Sequence, residues 1–168
     1  MADDLVLRDA TAADAEALAE IYAHYVQRTV ITFDEQPLSA PEWAQKLAHI
    51  QAEGWPVLVA EVDGQVLGYA YVSQFRAKSA YRFTVEDSIY LSPDATGRGI
   101  GRPLLGELLV RAAAAGARSV VAVIAAPGEA SVALHARAGF ADAGVLRDAG
   151  FKFGRWVDTI QMQLTFPS

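Results

Sequence analysis

The residue pattern predicts a mixed α/β protein in which hairpins and one strand–helix–strand crossover share a single sheet. Two observations carry that prediction. The β-rich runs Val57 to Val62 and Val66 to Phe75 are separated only by Asp63-Gly64, the two-residue signature of a tight hairpin turn. The stretch VEDSIYLSPDATGRGIGRPLLGELLVR, from Val85 to Arg111, takes an apolar strand through a glycine-rich loop into a helix. A second apolar strand, Ser119 to Ala126, follows and completes the crossover.

The remaining elements follow in chain order. Leu5 to Arg8 form a short strand, and Thr11 with Asp14 three residues on is a capping pair that starts a helix reaching about Arg28. Leu18, Ile21, Tyr22 and Tyr25 share one face of it at helical spacing and are candidate core, with His24 and Gln27 off that stripe. Ser39 and Glu42 cap a second helix, with Pro41 in its first turn, Trp43, Leu47 and Ile50 on its inner face and Gly54 at its end. Between the helices lies VITFDEQP, where Phe33 is either a plug for the core or one wall of a substrate pocket. After the hairpin, the polar segment RAKSAY leads to a strand from Arg82 to Leu91. The glycine loop opens a helix from about Gly99 to Ala115, stopped by Gly116. PGEAS turns the chain into a short helix through His135 that ends at Gly139. Strands at about Ala141 to Leu146 and Trp156 to Phe166, joined by DAGFKFGR, complete the chain.

Composition narrows the function. A chain of 168 residues, 52% hydrophobic, suits one domain spanning residues 1–168 with a sizeable core. A net charge of −6 with no run of Lys or Arg argues against nucleic acid as a partner. The start, MADDLVLRDA, lacks a basic region followed by a long apolar run, and no window is apolar enough to span a membrane. A cytoplasmic protein is expected. With no cysteine there is neither a disulfide framework nor a thiol nucleophile, and the three His are too dispersed for a metal motif.

The glycine loop carries the chemistry. Gly97, Gly99 and Gly101 free the backbone to curl, so that successive N–H groups point into one concavity at a helix start. The helix N-terminus adds unsatisfied donors and partial positive charge, and Arg98 and Arg102 add full charges, so a pyrophosphate suits the concavity. The alternative is a glycine-rich turn that only joins strand to helix. A P-loop is excluded, because Gly101 is followed by Arg102 and Pro103 rather than by Lys and Ser or Thr. The dinucleotide fingerprint is excluded because the sixth position from Gly97 is Arg102.

Thr96 to Gly101 resembles instead the pyrophosphate loop of the GNAT superfamily of N-acetyltransferases, with Thr96 departing from the usual Arg or Gln at the first position. The resemblance extends over nearly the whole chain to the phosphinothricin and methionine sulfoximine acetyltransferase branch. It is carried by IYAHYV, TFDEQP, WPVLVAEVDGQVLGYAY, FRAKSAYRFTVEDSIYLSP, SVVAVI, SVALHARAGF and GFKFGRWVD in that order. It implies a GNAT-like fold: a mostly antiparallel sheet of about six or seven strands, a parallel pair around the acetyl-CoA site, and about four flanking helices. It also implies acetyl-CoA as co-substrate, no metal, a small-molecule amine or amino acid as acceptor, and a homodimer in which GFKFGRW lies near the partner subunit.

Site residues follow from the same resemblance. Thr84, Glu86, Ser88 and Tyr90 share one face of their strand, and the Glu of TVE, here Glu86, is the family's base for the amine. A strand-edge Glu in solvent is the alternative. The pantetheine arm is expected along Ile89, Tyr90 and Leu91, and the pyrophosphate over Gly97, Arg98, Gly99, Ile100, Gly101 and Arg102. Gly128 occupies a position where many relatives carry a cofactor-binding Asn. His135 stands where the superfamily often has a Tyr, and is either a proton donor to the leaving thiolate or a helix-packing residue. Arg76, Ala77 and Lys78, with Glu86, Asp87 and Ser88, form the expected acceptor rim, and Phe33 an apolar wall. Solvated surface charge is the alternative for Lys78 and Arg82. The function that results is acetyl transfer to a small amino acid analogue of the phosphinothricin, methionine sulfoximine or methionine sulfone type. Acetylation of protein N-termini or other amines, and a non-catalytic acyl-CoA-binding domain, are the alternatives.

Overall fold

The computed structural model describes residues 4–167. The elements run β1 (Val6–Asp9), α1 (Ala15–Arg28), α2 (Ala40–Ala52), β2 (Val57–Val62), β3 (Gln65–Gln74), β4 (Thr84–Leu91), α3 (Gly101–Ala114), β5 (Ser119–Ala125), α4 (Glu129–Arg137), β6 (Ala141–Lys152) and β7 (Arg155–Thr165). One seven-stranded sheet holds them in the order β1-β2-β3-β4-β5-β7-β6. Among the described residues only β4 and β5 run parallel, on either side of the α3 crossover. The fold is therefore the mixed, mostly antiparallel GNAT-like architecture expected.

Alternation along the strands divides the core between the two faces of the sheet. Val57, Val59, Tyr69 and Tyr71 point to α1 and α2, where they meet Leu18, Tyr22, Trp43 and Leu47. Leu58, Ala60, Ala70 and Val72 point the other way, onto Leu104, Leu105 and Leu108 of α3. The Asp63-Gly64 turn has φ of 52° and 77°, the left-handed pair that a two-residue hairpin requires. Ser39 caps α2 with Glu42 reaching back to its N–H at 2.7 Å. Asp14 likewise accepts from the Thr11 N–H at 2.7 Å, but the first turn after Thr11 is a 3-10 turn and α1 proper begins at Ala15.

Three expectations are corrected. β4 begins at Thr84 rather than Arg82, because a 3-10 turn over Ser79–Tyr81 takes the preceding chain. The helix after the glycine loop begins at Gly101 rather than Gly99, since Gly97 and Gly99 sit at φ 75° and 81°, outside helical space. The stretch DAGFKFGR is strand rather than linker: β6 runs to Lys152, and only Phe153-Gly154 turn. Its ladder shifts register between Leu146 and Gly150, with Asp148 at φ 49°, so a bulge carries the residues that read as a loop.

Candidate active site

The parallel pair is short, and its shortness makes the site. β4 and β5 pair only at Thr84↔Ser119, Val85↔Val120 and Glu86↔Val121. Beyond Glu86, β4 follows β3 as far as Leu91, while β5 follows β7 as far as Ala125. The two strands part and leave a wedge in the sheet, walled by Asp87 to Leu91 and by Ala122 to Ala125. Backbone groups of the β4 wall that face β5 have no ladder partner there, so they are free to bind a ligand lying along Ile89, Tyr90 and Leu91.

The glycine loop lies where β4 ends. Buried Ala95 and Ile100 anchor it, and Arg98 and Arg102 are exposed. A Cβ at Gly97 or Gly99 would meet no atom within 4 Å, so the left-handed backbone rather than crowding requires glycine. The first turn of α3 contributes N–H groups without helical partners, and Pro103 has none to offer. These donors and the two guanidinium groups fit a diphosphate. Gly128 is glycine for a different reason: at φ 48° in the turn from β5 to α4, a Cβ would lie 2.7 Å from the Ala125 carbonyl oxygen.

Glu86, Ser88 and Tyr90 point to the α1–α2 face, opposite Ser73, Tyr71 and Tyr69 of β3. Glu86 is half-buried, and among the described residues its carboxylate has no hydrogen-bond partner. Burial, and then the charge of Asp87, push its pKa up from the usual 4.5. The alternative of a Glu in open solvent does not describe this side chain. The floor beside it is aromatic: Tyr90 meets Tyr22, Tyr25 and Tyr69 at ring separations of 5.2, 5.3 and 5.5 Å. Tyr25 donates to the Leu91 carbonyl at 2.5 Å, which ties α1 to the wedge wall.

The segment from Thr29 to Leu38 crosses this face as a strap. Tyr22 donates to Asp34 at 2.5 Å and bonds Thr32 Oγ1 at 2.8 Å, while Lys152 donates to the Thr32 carbonyl at 2.7 Å. Phe33 packs on Gly150, where a Cβ would fall within its ring, and stays 38% exposed, so it does not plug the core. The sequence reading missed Thr32, Asp34 and Lys152 in this role, since Lys152 stood in a presumed loop; the structure leaves it only 1% exposed. Arg76, Ala77 and Lys78 are exposed in the β3–β4 connection, at the end of that hairpin where Ser73 pairs with Glu86. The Arg76 guanidinium lies 5.0 Å above the Phe75 ring.

Asp87 is placed otherwise than on the acceptor rim, and His135 lies beside it. Asp87, expected on the acceptor rim, points to the opposite face and is buried. It meets His135 there, with Oδ2 2.9 Å from Nε2. His135, read either as a proton donor to the leaving thiolate or as a helix-packing residue, is 2% exposed and its Nδ1 lies 2.8 Å from the Ser131 carbonyl oxygen. Both ring nitrogens are thus engaged within the fold. The alternation of faces foretold Asp87's direction; its partner, from another element, carried no local signal.

Comparison with known proteins identifies relatives of this chain. The family described as "Acetyltransferase (GNAT) domain" matches residues 7–161. A phosphinothricin N-acetyltransferase of Alcaligenes faecalis is 48% identical over 151 residues, covering 89% of this chain and 77% of its own. The L-methionine sulfoximine/L-methionine sulfone acetyltransferase of Salmonella typhimurium is 37% identical over 160 residues, 95% of this chain and 94% of its own. The crystal structure of a GNAT superfamily phosphinothricin acetyltransferase from Sinorhizobium meliloti, in complex with acetyl-CoA, superposes with a TM-score of 0.93 at 48% identity, covering 98% of this chain and 89% of that one. Fold and wedge describe an acyl-transferring enzyme. The chain belongs to the GNAT family of acetyltransferases.

Proposed function

We infer that this enzyme transfers the acetyl group of acetyl-CoA to the primary amine of a small amino acid analogue of the phosphinothricin or methionine sulfoximine type. The observation that carries the reading is Glu86: a half-buried, partnerless carboxylate at the last β4–β5 pair, where the wedge begins. Acceptors of this type are those named for the relatives. Arg76, at the same end of the hairpin, supplies a guanidinium for the acceptor's carboxylate, and Phe33 a wall for its side chain.

The chemistry assigned to the chain is short. Glu86 takes a proton from the acceptor's ammonium group, directly or through a water, and frees its nitrogen lone pair. That nitrogen attacks the thioester carbon, an unpaired N–H of β4 polarises the carbonyl oxygen, the C–S bond breaks, and the departing thiolate takes up the second proton that the nitrogen sheds as the amide forms. The raised pKa of Glu86 brings it nearer to the amine's own and makes it a better proton acceptor than a solvated carboxylate. Gly97 to Arg102 hold the diphosphate at the mouth of the wedge.

A second copy of the chain belongs to the proposal. Val145, Leu146, Phe151, Phe153 and Trp156 expose apolar surface on the β6–β7 hairpin, and the last three lie in GFKFGRW, the segment expected near a partner subunit. Sedimentation should show a dimer that Trp156→Asp weakens. We assign the protein to the cytoplasm, where acetyl-CoA is available. The functional test is thiol release from acetyl-CoA over a panel of amino acid analogues, simple amines and N-terminal peptides. Turnover confined to the amino acid analogues supports the reading; preference for peptides would replace it with N-terminal acetylation.

A further inference from the structure

The apex of the wedge holds a buried ionisable couple that this reaction does not use. Asp87 is the first residue of β4 past the last β4–β5 pair, and its side chain turns to the face covered by α3 and α4. Oδ2 lies 2.9 Å from His135 Nε2, and the two side chains are 1% and 3% exposed. A carbonyl can only accept, so the 2.8 Å contact between His135 Nδ1 and the Ser131 carbonyl oxygen requires a proton on Nδ1. The Nε2 contact then needs a second proton, shared between ring and carboxylate. Asp87 Oδ1 is buried without a partner among the described residues, so the carboxylate depends on His135 alone for compensation.

Topology gives this one bond a mechanical position. β4 forms one wall of the wedge, and α4 continues from β5, the other wall, through the turn at Gly128. Asp87–His135 therefore joins the two walls just beyond the point where backbone pairing stops. We propose that Asp87 and His135 form a proton-dependent latch across the apex, fixing the separation of the walls and with it the affinity for an acyl-CoA. Asp87 is in this a positioning residue acting through His135. The inference rests on reading the wedge as the acyl-CoA site.

Loss of the shared proton would leave one ring proton for two acceptors, the Asp87 carboxylate and the Ser131 carbonyl, with only the Ser131 hydroxyl, 3.3 Å from Nδ1, to offset the bond lost. Burial lowers the affinity of the ring for its proton, but the bond to Asp87, its charge and the Ser131 contact outweigh burial, so the His135 pKa is raised. The latch accordingly holds below that raised pKa and opens as pH rises through it. Few other charges bear on it. Glu86 lies on the opposite face of β4, Glu129 and Arg137 of α4 are exposed, β5 carries no titratable side chain, and Phe140 meets the imidazole edge-on at 5.0 Å. The cations of the glycine loop are Arg98 and Arg102, both exposed.

Asp87→Asn keeps the shape and donates from its amide to a neutral ring, which removes the shared proton while preserving the packing. Nitrogen-15 spectra of the full chain at about pH 7.5 should show both His135 ring nitrogens protonated in the wild type and one in the variant. Calorimetric titration with acetyl-CoA from about pH 7 to pH 10 should show wild-type affinity falling by about tenfold across the ring's titration, the low end of ordinary coupling between linked sites. The variant's affinity should not change over that range. A neutral His135 ring in the wild type at pH 7.5, or the same pH dependence in both proteins, overturns the latch. Failure of the wild type to bind acetyl-CoA at any pH would overturn the functional reading and the affinity claim together, whereas binding indifferent to both pH and Asp87→Asn would sink the latch alone.

Discussion

Replacing Gly99 by Asp separates what the glycine loop does for the fold from what it does for a ligand. In the fold, a Cβ at this position meets nothing within 4 Å, so the variant has no clash to relieve. It must hold a non-glycine residue at φ 81°, which costs about 1 kcal/mol, and Asp tolerates left-handed backbone better than most residues. Toward a diphosphate the change is larger. A new negative charge about 6 Å from a phosphate, at an effective dielectric of about 20, repels it by about 3 kcal/mol, or roughly a hundredfold in Kd. The added side chain also occupies the concavity. Titration calorimetry with acetyl-CoA should therefore show binding weakened by about two orders of magnitude or lost, while urea unfolding shows stability reduced by only about 1 kcal/mol. A folded variant that binds within about twofold of the wild type would refute the assignment of this loop to the pyrophosphate.

The other predictions address the acceptor face and the fold. Glu86→Gln should lower turnover by about 10²- to 10⁴-fold with acetyl-CoA binding retained, and should recover part of the deficit in alkali as the amine loses its proton unaided. The wild-type profile should fall off in acid as pH drops through the raised pKa of Glu86, a limb that the Gln variant lacks; near-wild-type turnover at neutral pH would remove Glu86 as the base. Arg76→Ala should raise the Michaelis constant for an amino acid acceptor and leave cofactor affinity unchanged, and an unaltered constant would take Arg76 out of the pocket. Asp14→Asn should cost about 1–3 kcal/mol at neutral pH by losing its charge-assisted bonds from Arg8 at 2.8 and 2.9 Å and from the Thr11 N–H. Because the Arg8 bond, opposed by burial, holds Asp14 below 3.8, this contribution is present above that value and lost as pH falls through the folded-state pKa. Urea melts at about pH 7 and pH 3 check this, and a difference from wild type that persists undiminished in acid would contradict it.

What the sequence disclosed was set by the range of each interaction. Asp63-Gly64 and the Ser39–Glu42 cap are settled within four residues, and both stand in the structure as read. The glycine loop announced itself because left-handed backbone needs a particular residue type at a particular place. The direction of Glu86 and the opposite direction of Asp87 followed from the two-residue period of a strand. The partner of Asp87 did not: His135 lies 48 residues away, on a helix whose rotation no local pattern fixes. Lys152 is the extreme case, bonding across 120 residues to the Thr32 carbonyl, and a buried lysine is legible only once the strap above it is in place. Near it, Gly150 and Asp148 have the composition of a turn, yet serve a bulged strand and the seat of Phe33.

The bulged course of β6 matters beyond the site it borders. β6 is an edge of the sheet, and Ala141 to Ala149 are exposed along it. A long, flat edge of that kind would invite strand after strand from other molecules and grow into insoluble ribbons. This edge departs from register twice, between Asp142 and Gly144 and between Leu146 and Gly150. At each departure an aspartate accepts a displaced backbone N–H, Asp142 from Gly144 at 2.8 Å and Asp158 from Asp148 at 2.9 Å. Arg147 lies across the second, bonded to Asp158 at 2.7 Å. An incoming strand finds neither an even row of donors and acceptors nor an uncharged rim, so this edge gives open-ended strand addition no template.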